Sequence, residues 1–138
     1  ISKLGEITIV TPNLAESGKH SYGLIGPDKV PVICLPGDPV GNYLSAEIFI
    51  RPLILKMLAR QVIQRPVKKI KLSKAISSVS GKMQYVRANI NSDGQVTPLS
   101  DQESITTLAF TDCLVLVNEK DEKLSSGDLV NVMMINQE

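Results

Sequence analysis

A run of apolar residues, Val30-Pro31-Val32-Ile33-Cys34-Leu35, stops at Pro36-Gly37-Asp38-Pro39, and a helical pattern begins at once. Short β-branched runs of this kind read as strands buried on both faces. Asp38 suits the N-cap, where its carboxylate accepts from free amides of the first turn, and Pro39 suits the first helical position, where a missing N–H costs nothing. A strand, a tight turn and a helix N-terminus point free amides at an anion. An ordinary βα connection satisfies the same pattern. The helix is expected to run from Pro39 to about Gln61. Val40, Tyr43, Leu44 and Ile48 give one apolar stripe, and Ile50, Ile54, Met57 and Leu58 another. Pro52 removes a backbone hydrogen bond and predicts a kink near Ile50.

Upstream, Glu6 to Val10 reads as a strand. Ala15 to Gly23 reads as a polar loop, Leu24-Ile25 as a short strand, and Gly26 to Lys29 as a turn. These strands form the edge of a sheet, expected to pair with a second copy of the chain or to be covered by the long helix. Arg65-Pro66 marks a boundary, because proline favours an extended residue before it. Beyond it the texture changes. Val67 to Leu72, Met83 to Ile90, Gln95 to Leu99, Cys113 to Val117 and Leu129 to Ile135 read as strands. Ser92-Asp93-Gly94 is a hairpin turn, and Ser104 to Phe110 a short helix. The expected fold class is an α/β fragment, residues 1–64, followed by an all-β domain, residues 65–138, shaped as a small β-barrel or sandwich.

Composition narrows the functions. Aromatics make up 4% and Trp is absent, so the core must be aliphatic. A net charge of +1 gives no support to a nucleic-acid or membrane partner. Cys34 and Cys113 lie in apolar runs, form no CxxC and have no zinc spacing; they read as buried thiols in a reducing, cytoplasmic compartment. His20 is the only histidine, which excludes a histidine-based metal cluster and leaves a loop residue. The chain starts with Ile1 rather than Met, as expected of a piece of something longer.

Taken in order, these features resemble a known family. Ser17-Gly18-Lys19-His20 with a later Gly23 resembles a PGKP loop followed by FG. Leu35-Pro36-Gly37-Asp38-Pro39-Val40-Gly41 resembles LPGNPVS, and Ile50-Arg51-Pro52 a "VRP" step. Gly81-Lys82, Tyr85-Val86-Arg87 and Ser126-Gly127-Asp128-Leu129-Val130 resemble the family's GR step, aromatic-x-Arg strand and last strand. The pattern is that of the C-terminal part of the molybdopterin molybdenumtransferases, the MoeA and gephyrin E-domain family. The resemblance implies insertion of molybdate into molybdopterin or adenylated molybdopterin, with magnesium, by a homodimeric parent protein. It implies that residues 1–64 are the last part of a molybdopterin-binding α/β domain. The family's GGVS motif, with its acidic residue, has no match here, so this piece is expected to be inactive alone and to hold no cofactor tightly. A non-catalytic binding or scaffold module on the same fold, contacting a protein partner, is the alternative.

The resemblance also proposes site residues. A site for molybdate and the pterin phosphate needs amides, a cation and hydroxyls. Lys19, beside Gly18, is the natural cation. Pro36, Gly37, Asp38 and Gly41 form the turn, where Gly37 either admits a ligand or merely makes the bend. Arg87 offers a planar donor fork suited to oxyanions, or pairs with a carboxylate on an exposed strand. Lys82 and Ser104 enter only by their place in the pattern. Three departures stand out: His20 replaces a proline, Gly41 replaces a serine, and Asp38 replaces an asparagine. Asp38 sets negative charge where an anion should bind, partly offset by the helix dipole.

Overall fold

The computed structural model describes residues 5–10, 20–79, 81–102 and 104–135, without the side chains of Ile7 and Val10. Strands β1 (Gly5–Val10), β2 (His20–Ile25) and β3 (Val30–Cys34) form an antiparallel meander in the order β1-β2-β3. His20 to Gly23, expected in a loop, belong to β2. Strand β3 is not buried on both faces as its apolar run suggested. None of its residues is fully buried, because it is a sheet edge with only β2 beside it. In register, Ser21 lies opposite Cys34, so the chain enters β2 at the same end of the sheet where it leaves β3.

Asp38 caps helix α1 (Pro39–Ser45), its carboxylate accepting from Gly41 N at 2.5 Å. The helical run continues through a π turn (Ala46–Ile50) into α2 (Arg51–Met57). Pro52 has no N–H to give the preceding turn, and the ladder widens there: Arg51 N–H bonds Ala46 O, five residues back. The expected interruption is therefore a π turn. The helix also stops earlier than expected, at Met57. Ala59 takes a left-handed φ of 53° and Arg60 N closes on Leu55 O at 2.9 Å, a helix-ending conformation usually given to glycine.

The rest is almost all β. Strands β4 (Val67–Lys71), β6 (Gln84–Ile90), β7 (Val96–Pro98), β8 (Cys113–Val117) and β10 (Leu129–Met134) form one antiparallel sheet in the order β4-β10-β8-β6-β7. Two short strands missed in the sequence, β5 (Ile76–Ser77) and β9 (Lys123–Leu124), pair separately. The large sheet curls until its two edges meet: Leu72 bridges Val96, and Ser73 N donates to Val96 O at 2.9 Å. Its concave side holds Leu72, Val86, Ala88, Val96, Cys113, Val115, Val117, Val130, Val132 and Met134. Its other side is not left to water. Tyr85, Leu114, Met133 and Ile135 pack there against Val40 and Leu44 of α1. This two-sided cover is why Cys113–Val117 reads as an unbroken apolar run. The exposed Lys68, Lys69 and Lys71 sit on edge strand β4, where charge discourages pairing with another sheet.

The linker before Pro66 is tied back to the helix. Arg65 forms a two-pronged pair with Glu47, Nε to Oε2 at 3.0 Å and Nη2 to Oε1 at 3.2 Å, and Arg51 Nη1 donates to Ile63 O at 3.3 Å. On the other side of the helical run, Ile48, Phe49 and Leu53 face Tyr22, Leu24 and Ile33 across an apolar groove of about 760 Å³.

Candidate functional site

The site begins at the turn that leads into α1. Pro36 and Gly41 are buried, and Gly37 and Asp38 are exposed. Among the described residues a side chain at Gly37 would meet nothing within 4 Å, and its φ lies outside the left-handed region. The bend therefore does not require glycine at this position, which removes the simpler of its two explanations. Gly41 differs. A Cβ there would come within 2.5 Å of Asp38 Oδ2, so the absent hydroxyl and the added carboxylate are one coupled feature.

His20 is the residue that sequence reasoning placed wrongly. It is 7% exposed, and its Nε2 lies 2.6 Å from Ser45 Oγ, which itself donates to Gly41 O at 2.6 Å. Because the serine proton is committed to Gly41, the imidazole nitrogen is the donor in this pair. Its ring also meets Phe49 edge-on, with centroids 5.4 Å apart. The first residue of β2 is thus fastened to the last residue of α1, two turns beyond the Asp38 cap. No local signal in the sequence announces this contact, because its partner lies 25 residues away. Gly18 and Lys19 lie outside the described residues.

Arg87 is 1% exposed. Its Nη1 donates to Ser104 O at 3.1 Å, and its Nη2 to Asp101 O at 3.2 Å and to Gln102 O. Nε is buried with no partner among the described residues. It is therefore neither the exposed strand residue paired with a carboxylate nor a fork turned toward solvent. Burial lowers its affinity for the proton from the usual arginine range, with Asp101 and the Tyr43 hydroxyl acting the other way. The Tyr43 phenol is raised, first by burial and then by Glu47, while Arg65 and Arg87 pull it down. Ser104 caps the 3-10 turn Ile105–Phe110, accepting from Thr106 N at 3.2 Å. Lys82 is exposed in the turn before β6. The structure thus brings Arg87 and Ser104 together and groups Pro36, Gly37, Asp38 and Gly41. Between the two groups, α1 touches the 3-10 turn that Ser104 caps. Among the described residues no three His, Cys, Asp or Glu side chains converge on a point. No described helix is long and apolar enough to cross a membrane.

Residues 69–135 match the family model described as the MoeA C-terminal region (domain IV). Over these residues the chain carries a MoeA C-terminal region. Molybdopterin molybdenumtransferase 1 of Mycobacterium tuberculosis is 29% identical to this chain over 147 residues, covering 99% of it and 34% of the relative. A Methanocaldococcus jannaschii protein named for molybdopterin biosynthesis is 25% identical, covering 98% of the chain and 31% of the relative. The chain thus spans about a third of the length of these curated relatives. A molybdopterin biosynthesis MoeA protein from Pyrococcus horikoshii superposes with a TM-score of 0.80 at 23% identity, covering 96% of this chain and 33% of that one. A molybdenum cofactor biosynthesis protein from Pyrococcus furiosus gives 0.76 at 18% identity, covering 94% and 46%. At these identities the superpositions speak for the fold alone.

Proposed function

We propose that this chain serves molybdenum cofactor biosynthesis as the C-terminal portion of a molybdenumtransferase that inserts molybdate into adenylated molybdopterin. In this reading residues 1–64 complete a molybdopterin-binding α/β domain and residues 65–138 form a barrel-like second domain. The observation that carries the reading is the His20–Ser45–Gly41 chain of hydrogen bonds. It fastens His20 to the last residue of α1, at the end of the sheet where β3 runs into the Pro36–Asp38 turn.

The chemistry asked of the chain is binding and orientation. Lys19 supplies the cation for an oxyanion, the amides at the start of α1 supply directed donors, and Gly37 leaves room for close approach. Asp38 works against anion binding by its charge while holding the helix start in place. Magnesium would serve to balance phosphate and molybdate charge, held by groups beyond the described residues, with the active site of the parent lying between two subunits in the cytoplasm. With no counterpart here of the acidic GGVS motif, the chain alone is proposed to bind without turnover.

The test is calorimetric titration with molybdate at several salt concentrations, in the full-length protein. Lys19→Ala should weaken binding and Asp38→Asn strengthen it, each by about two- to fivefold, the size of one exposed charge contact, and both effects should shrink at high salt. Weaker binding by Asp38→Asn would give the carboxylate a positive role toward a cation. No effect from either change would reduce the turn to an ordinary βα connection and favour a non-catalytic scaffold.

A further inference from the structure

The Gln102 side chain is absent from every motif above, yet it behaves like a piece of strand. Ladder pairing between β6 and β7 ends at Ala88 and Pro98, with one further backbone bond from Leu99 N to Arg87 O at 3.0 Å. The Gln102 amide continues the pairing from there. Its Oε1 accepts from Arg87 N at 2.8 Å, while Nε2 donates to Arg87 O at 2.9 Å and to Leu99 O at 2.7 Å. The Arg87 guanidinium meanwhile holds the carbonyls of Asp101, Gln102 and Ser104. Backbone and side chain of one residue thus grip both ends of a single loop. That loop leads directly into the 3-10 turn that touches α1.

We propose that Arg87 and Gln102 form a clamp that sets the Asp101–Phe110 segment against α1, and that Arg87 influences an oxyanion at the start of α1 only through this segment, never by contact. Arg87 is then a positioning residue and Gln102 its partner. The clamp follows from the hydrogen bonds alone; its effect on an oxyanion rests on the function proposed above. A direct ligand and a clamp leave different traces. A ligand's charge matters, so Arg87→Lys would keep much of the affinity and its salt dependence, and Gln102→Ala would change nothing. A clamp depends on the fork and the amide, so both variants lose affinity alike while the salt dependence stays as in the parent chain.

The experiment uses Gln102→Ala and Arg87→Lys, with amide exchange read at Ser104 to Thr107 and molybdate titration read alongside. Each variant forfeits at least two hydrogen bonds to the loop, so exchange there should quicken by about tenfold or more. Exchange unchanged in Gln102→Ala overturns the clamp, and that variant keeps every charge and the buried arginine, so it is the safer of the two to fold. Quickened exchange with unaltered molybdate affinity overturns the positioning role. Absence of molybdate binding by the unmodified protein overturns the proposed function and the positioning role together, and the exchange data still decide the clamp.

Discussion

Leu44→Ala tests whether α1 belongs energetically to the curled sheet. Leu44 is 6% exposed and packs with Val40, Tyr85, Leu114, Met133 and Ile135. Truncating a buried leucine costs about 2–5 kcal/mol, from lost transfer energy and the cavity left behind. Alanine returns only a few tenths of a kcal/mol in helix propensity, so a net loss of about 3 kcal/mol is expected. In a chain of 138 residues that corresponds to a fall in Tm of roughly 10 °C. Urea unfolding followed by circular dichroism would show a lower midpoint, an unchanged m value and a single transition. Leu58→Ala is the control: at 65% exposed it should stay within about 0.5 kcal/mol. A loss under about 1 kcal/mol for Leu44→Ala, or a second transition, would refute the reasoning and make the helix a passenger beside an independently stable sheet.

Asp38→Ala should cost about 1 kcal/mol, the worth of one N-cap, with Asp38→Asn close to neutral in the same unfolding assay because asparagine caps equally well. Cys113 donates weakly to Ala88 O at 3.6 Å in the core, and burial, with a smaller push from Asp112, raises its thiol to about 12. Iodoacetamide at pH 8 should therefore modify the half-buried Cys34 and spare Cys113 until the protein unfolds. The folded chain keeps a proton that the unfolded thiol releases near 8.5, so this contribution to stability is complete below about pH 8.5 and drains away as the pH climbs toward 12. Urea midpoints across that range should decline less steeply in Cys113→Ala.

Much of this architecture was legible wherever local chemistry decides the outcome. The Asp38-Pro39 helix start and the strand between Met83 and Ile90 appear in the structure as the sequence implied. Strand β3 was misjudged because an apolar run records only that a segment avoids water, not how many neighbours flank it. The contacts of His20 with Ser45 and of Gln102 with Arg87 were invisible for another reason: they span 25 and 15 residues, and nothing near them in sequence signals either one. Arg87 stood out by its chemistry, but its burial and its bonds to the carbonyls of the Asp101–Ser104 loop were not legible, because those partners lie 14 and 17 residues away.

The π turn at Ala46–Ile50 makes the length of this segment matter more than its composition. An α-helix rotates by about 100° per residue, so the wider turn re-aims everything after it. Before the turn, Val40 and Leu44 lie on the curled sheet; from the turn onward, Phe49 and Leu53 face the meander. One helical run thereby serves two sheets. Adding a further residue between Ala46 and Ile50 would swing Leu53 away from its groove by a quarter turn or more, whereas losing one would let the ladder close as ordinary α-helix with both faces still aligned. In this stretch the chain is measured out by count, and an insertion is the change it can least absorb.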